Sequence, residues 1–384
     1  MARTVDVLPG DTRQTPARRR PMRVEHLVVG LTLALFGALA ASGLGRQSTE
    51  QSESVASEDS FRRIERPRPS AAFGGPVLSE PTSTVLFLVS NGHLARLDVD
   101  AGTLTTSHIR AAIDDSVHPA VLPRGDVLAF QGLDPEIGRT TSVVTLDLRA
   151  IVVPLGPSAY FVGASEEDRV VLAIPARGAV GPRAALSAVR EVTVDGRILG
   201  PDTLSPEGWT LLAQLTGGLA SRDAQGNIAI WDPASGNTLF SVDGQSIAFG
   251  SDRLAWCAAD CDAVSVFDPT SDRAWEIRRP DHVVAFGQTG SFSPDGRYLA
   301  VPVGIRGNQG LRGAMAMVAV EEETAWVIPG SEFVPIDAPV AWSPAGDWVF
   351  FGRTGDYLGA NRLGTMDVSR VPVDVGAVTS LAAI

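Results

Sequence analysis

The feature that most constrains this chain is an internal repeat. From Pro81 to Ile384 one unit recurs: a short apolar run, an acidic or glycine turn, and a second apolar run. It is legible as HLARLDVDAGTL from His93, SVVTLDLRAIVV from Ser142, AVREVTVDGRIL from Ala188, NIAIWDPASGNTLF from Asn227, AVSVFDPTSDRAWEI from Ala263, MAMVAVEEETAWVI from Met315 and LGTMDVSRVPV from Leu363. The acidic residues at the turns, Asp98, Asp147, Asp195, Asp232, Asp268, Glu321 and Asp367, lie 49, 48, 37, 36, 53 and 46 residues apart, a mean close to 45. Apolar residues alternate with a period of two, the signal of antiparallel strands, and no helical stripe of about 11 or more residues appears. A period of about 40–45 residues carrying four short strands is that of a propeller blade, because one such sheet has two apolar faces and must be packed between neighbours. The expected fold is all-β, a seven-bladed β-propeller of four-stranded antiparallel blades.

A second element precedes these hairpins, seen in VLPRGDVLAFQG from Val121, SFSPDGRYLAVPVG from Ser291 and AWSPAGDWVFFG from Ala341. Proline fixes φ for the turn and glycine supplies the positive φ after it, so S-P-x-G joins two strands tightly. FSPDGRYLAVPVG and WSPAGDWVFFG resemble the repeat of TolB-like propellers, and NIAIWDPASGNTLF, with Trp231-Asp232 before a turn, resembles a WD repeat. The resemblance spans Thr84 to Ile384 and implies a bacterial-type β-propeller, usually a binding platform, without indicating the partner. The first copy opens on STVLFLVSNGHLARL with no inner strand before it, while Ala377–Ile384 is left over after the last. The tail, residues 377–384, is therefore expected to close the ring by joining the first blade.

The N-terminal region reads as a separate organisation. Residues 1–26 form a leader with six Arg against Asp6, Asp11 and Glu25, and residues 27–45, from Leu27 to Gly45, run without a charge. That length suits a single transmembrane helix, and the arginines are expected to stay cytoplasmic, placing residues 46–384 outside. Ala38-Leu39-Ala40 keeps a cleaved signal peptide open as the alternative. Residues 46–80, rich in Ser, Glu, Arg and Pro, read as a disordered linker, and residues 81–384 as the propeller. The expected location is the cell membrane with the propeller extracytoplasmic. Outside the reducing cytoplasm, Cys257 and Cys261, spaced C-x3-C, are expected to form a disulfide; two thiols without nearby His cannot complete a zinc site, though a redox pair is the competing reading.

All 32 basic residues are Arg, against 44 acidic residues, for a formal net charge of −12. That balance excludes nucleic acid as a general partner. Candidate chemistry is sparse: His26, His93, His108, His118 and His282 are scattered, the H-E-x-x-H, G-x-S-x-G and P-loop patterns are absent, and no cofactor or metal is expected. The loops between second and third strands are expected to be long in blades two, three, six and seven. They carry Arg139, Arg177, Arg183, Arg306, Arg312, Arg353 and Arg362, with Tyr357 as an exposed aromatic. Long loops on a rigid scaffold concentrate recognition, and Arg is enriched at hot spots. The expectation is a non-catalytic, monomeric interaction or scaffold module with a protein partner at the cell envelope. An envelope hydrolase or lyase acting at the central channel and a carbohydrate-binding propeller are the alternatives.

Overall fold

The computed structural model describes residues 75–384, apart from 111–119, 122–126, 135–137, 150, 158–159, 165–168, 176–185, 207–208, 216, 224, 226, 259–260, 308–309, 333, 354–357 and 374. The expected leader and apolar segment, residues 1–26 and 27–45, lie outside the described residues. Among the described residues no helix is long and apolar enough to cross a membrane.

The described chain is a β-propeller of antiparallel blades. Six sheets have four strands and one has five. Numbered along the chain, the first sheet comprises Val85–Ser90, His93–Asp98, Thr103–Arg110 and, on its inner edge, the C-terminal strand Val378–Ala383. The second to fifth sheets occupy residues 120–157, 160–204, 210–242 and 245–278, the sixth 283–327 and the seventh 340–370.

The sequence pattern explains why these strands sit as they do. The second strand of a sheet is packed on both faces, so it reads as a continuous apolar run rather than an alternating one. VLFLVS is the example: Leu86 and Leu88 join a cluster with Phe350 and Trp348 of the seventh sheet, while Phe87 and Val89 join one with Leu128 and Phe130 of the second. Trp231 serves the third and fourth sheets with Val171 and Val189, and Trp256 the fourth and fifth with Ile228. Each sheet thus shares one apolar cluster with the sheet before it and another with the sheet after it, and the seventh packs against the first.

Three expectations need correction. The uniform four-stranded blade fails in the sixth sheet, where Val283–Phe286 and Ser291–Phe292 both pair antiparallel with Tyr298–Gly307, at Val303–Ile305 and Leu299–Ala300 respectively. They lie end to end along one edge, the inner strand being broken at Gly287, where a Cβ would stand 2.0 Å from the Ile336 carbonyl oxygen. In the third sheet the run RIL from Arg197 makes no strand; the outer strand is Thr203–Leu204, past Pro201, whose nitrogen has no hydrogen to give a ladder. The linker expected through residue 80 ends sooner, because Val77 bridges Arg370 in parallel and Leu78 N–H donates to the Arg370 carbonyl at 2.8 Å.

The S-P-x-G turns form as their chemistry requires. Ser293 Oγ donates to Asp295 at 2.6 Å and accepts the Tyr298 N–H at 3.0 Å, with Gly296 at φ +70°. Ser343 repeats this with Asp347 and Trp348, with Gly346 at φ +73°. Neighbouring sheets are fastened at these turns too: buried Arg253 of the fifth sheet donates to the Gly296 carbonyl and lies 4.9 Å over the Trp275 ring.

Candidate functional site

The turns joining second to third strands emerge at one end of the sheets, and among the described residues the longest strands reaching that junction are those of the sixth sheet. Its strands Tyr298–Gly307 and Gly310–Ala319, ten residues each, stay paired to Gly307–Gly310. The segment expected to be a long glycine-rich loop is instead a ladder with only Asn308 and Gln309 between its strands. Glycine spacing there reflects close packing at the base. A Cβ on Gly313 would stand 1.7 Å from the Val334 carbonyl oxygen, so the connection to the seventh sheet lies directly on the hairpin.

Register fixes what the hairpin presents. Arg306 pairs with Leu311 and Ile305 with Arg312, so Arg306 and Leu311 share one face while Arg312 lies on the other. Leu311 is 73% exposed, Arg306 is exposed, and the Arg312 stem passes Gly307. Ile336, 42% exposed, flanks the Leu311 face, with its Cδ1 3.7 Å from the Cβ position of Gly304. Arg353 of the seventh sheet donates to the Glu332 carbonyl at 3.1 Å, tying the same connection to its own rim turn. The Arg306 N–H donates to the His282 carbonyl at 2.9 Å, which pins the outer part of the ladder. The result is an exposed Leu311 that shares its face with Arg306, on a hairpin met by the Val334 backbone and by the His282 carbonyl.

The structure gathers some of the predicted residues and disperses others. Arg306, Arg312 and Arg353 belong to adjoining sheets. Arg139 lies on Gly138–Thr145 of the second sheet, which does not adjoin them. Arg177, Arg183 and Tyr357 lie outside the described residues. Arg362 does not belong to this rim: it ends the strand Leu358–Arg362, pairs with Trp348 at the opposite end of the sheet, and binds Glu80 at 2.8 Å. Antiparallel pairing reverses direction after residues 353–357, so a residue read as loop-borne is carried to the far end. Leu311 and Ile336 were missed by sequence reasoning, since a single exposed Leu or Ile in a propeller sequence looks like core.

Cys257 ends the strand Arg253–Cys257 and is buried, while Cys261 takes φ +51° in the following turn; their Cα atoms are 4.9 Å apart. The tryptophans are mostly internal: Trp231, Trp256, Trp275, Trp342 and Trp348 are buried, and the Trp231 indole N–H donates to Ser221 Oγ at 2.9 Å. Among the described residues no three His, Cys, Asp or Glu side chains converge closely enough to hold a metal ion.

No protein-family model matches the chain, and no curated protein matches it by sequence. Solved structures do. A candidate 6-phosphogluconolactonase from Bacteroides uniformis aligns over 79% of this chain and 100% of its own, with a TM-score of 0.51 and 13% identity. AztD of Citrobacter koseri aligns over 79% of this chain and 98% of its own, with a TM-score of 0.42 and 12% identity. The β-propeller domain of Cps50 (Swd1) from Myceliophteria thermophila aligns over 69% of this chain and 88% of its own, with a TM-score of 0.44 and 12% identity. The first of these shows a shared fold and says nothing of activity.

Proposed function

We propose that this chain is a non-catalytic interaction module, a seven-bladed propeller of the TolB-like and WD-repeat-like kind, held outside the cytoplasm by residues 27–45 and recognising a protein partner through the hairpin rim of its sixth blade. In this reading the five-stranded sheet counts as a blade with a broken inner strand, and Cys257 and Cys261 form a disulfide in the oxidising compartment. The observation that carries the proposal is Leu311. A large apolar side chain, 73% exposed, stands near the tip of a long ladder, with Arg306 beside it on the same face and Arg312 on the other. Arginine is enriched at interface hot spots, and an exposed apolar group on the same face adds area that a partner can bury. The partner is expected to be acidic or to offer carbonyl acceptors around a small apolar pocket.

The test is crosslinking in intact cells from a photoreactive residue placed at Asn308, followed by identification of what is captured. Arg306→Glu combined with Leu311→Asp is expected to cut capture of the principal partner roughly tenfold or more, hot-spot losses being about 2 kcal/mol or greater. Capture at wild-type level by the double variant overturns the reading.

A further inference from the structure

At the opposite end of the sheets from the rim hairpin, a recess of about 450 Å³ opens between the third and fourth sheets. Its floor is apolar, with Leu215 and Leu219 buried from the fourth sheet and Val171 and Val189 from the third. Its walls are different. They include Glu191, Asp232, Thr203 and Gln214, and none of the described residues lining it is basic.

Two features mark the recess as more than a packing defect. Among the described residues, Gln214 Oε1 is buried and has no hydrogen-bond partner. Such atoms are rare in native structures, and Gln214 is one of the residues that line the recess. The Asp232 carboxylate already accepts the Ala234 N–H at 2.9 Å and the Ser235 hydroxyl at 2.6 Å, contacts that hold it below the usual carboxylate range and keep it charged. Each of its oxygens retains a further acceptor site. Glu191 meets Arg169 at 3.3 Å, an exposed pair that leaves the carboxylate accessible.

We propose that this recess binds an organic cation: a primary ammonium or guanidinium group on an aliphatic stem, the stem lying on Leu215 and Leu219 and the charged donors meeting Asp232, Glu191 and Gln214. A ligand for these walls must bring donors, because the lining side chains are mainly acceptors, and positive charge, because Asp232 is held ionised and Glu191, shared with Arg169, adds a second carboxylate. The floor demands several methylenes. Free amines and the side chains of a basic peptide offer the same chemistry. The net charge of −12 favours approach of either.

Gly200 provides a clean way to close the site. It lines the recess, a Cβ built there meets nothing within 4 Å, and its φ lies outside the region that disfavours side chains. The experiment is calorimetric titration of the full chain in detergent at low salt with agmatine, 1,5-diaminopentane and the tripeptide Gly-Arg-Gly, with 1,5-pentanediol as the neutral control. Saturable binding of the cations and none of the diol is expected; binding of agmatine without the tripeptide assigns a free amine, and binding of both admits a peptide. Gly200→Trp, with an unchanged melt, is expected to abolish binding. Asp232→Asn should weaken it roughly tenfold, as loss of a charged hydrogen bond does. Gln214→Leu should weaken binding while leaving the melting temperature unchanged or raised, because it removes an unpartnered buried oxygen. No saturable heat from any cation up to roughly 10 mM, equal binding of the diol, or wild-type affinity in Gly200→Trp and Asp232→Asn overturns the proposal.

Discussion

The acidic residue at each hairpin turn does its work locally. Asp147 accepts from the Thr145 hydroxyl, Asp195 from the Thr193 hydroxyl, and Asp232 from the Ser235 hydroxyl, and these contacts hold each carboxyl below its ordinary value of 3.8. A lowered folded-state value means stability that is fully present above about pH 4 and lost as pH falls through the folded value. Ser235→Ala takes away the largest cause at Asp232. The variant is expected to melt slightly below wild type at pH 7, with the two curves converging as pH falls below about 4; a gap that stays constant on acidification would show that Ser235 acts through packing alone. The turn residues were legible from sequence because Asp, Ser, Thr and Gly satisfy backbone groups two to four residues away. Leu311 was not, because exposure depends on what the rest of the chain covers.

At the scale of elements, the sixth-sheet hairpin is extended because its base is clamped. Tolerance of substitution should follow that geometry. Gly313→Ala would bring a methyl to within 1.7 Å of the Val334 carbonyl oxygen, a backbone atom, whereas at Gly304 every neighbour of a new Cβ is 3.7 Å away. Gly313→Ala is expected to cost about 2 kcal/mol or more, and Gly304→Ala less than about 1 kcal/mol. Chemical denaturation of both variants checks this; equal stabilities would mean that the connection over residues 334–336 does not bear on the hairpin. The glycines of this segment read, from sequence, as a flexible loop. Their spacing serves close approach instead, a property set by a segment some twenty residues away in the chain. Arg362 makes the same point in reverse, since its place at the far end follows from pairing with Trp348 rather than from proximity to Gly352.

The whole ring is held at its junction by two different pairings. Val378–Ala383 lies along Val85–Ser90 with Leu381 buried, and the Ile384 and Val85 backbones exchange hydrogen bonds at 3.0 Å. At the outer edge the Gly75–Leu78 segment lies against Arg370 of the seventh sheet. The segment before the first sheet thus pairs with the seventh, and the C-terminal strand with the first. Removing residues 377–384 exposes the inner edge of the first sheet and the Leu86 to Leu381 cluster; a loss of about 5 kcal/mol would lower the melting temperature by about 10 °C. A melt within a degree or two of wild type would show that the outer pairing alone holds the ring.

What the sequence determined by itself was the unit. The 45-residue period, the apolar second strands and the S-P-x-G turns depend on contacts within one hairpin or on the two-sided burial of one strand, and both leave a local pattern. What only the tertiary structure decided was how units meet: the broken inner strand beside Ile336, the clamp on Gly313, the exposure of Leu311, and the recess between the third and fourth sheets with its unpartnered Gln214. Those features join residues far apart along the chain. No short-range periodicity records them, because each is set by the space its neighbours leave.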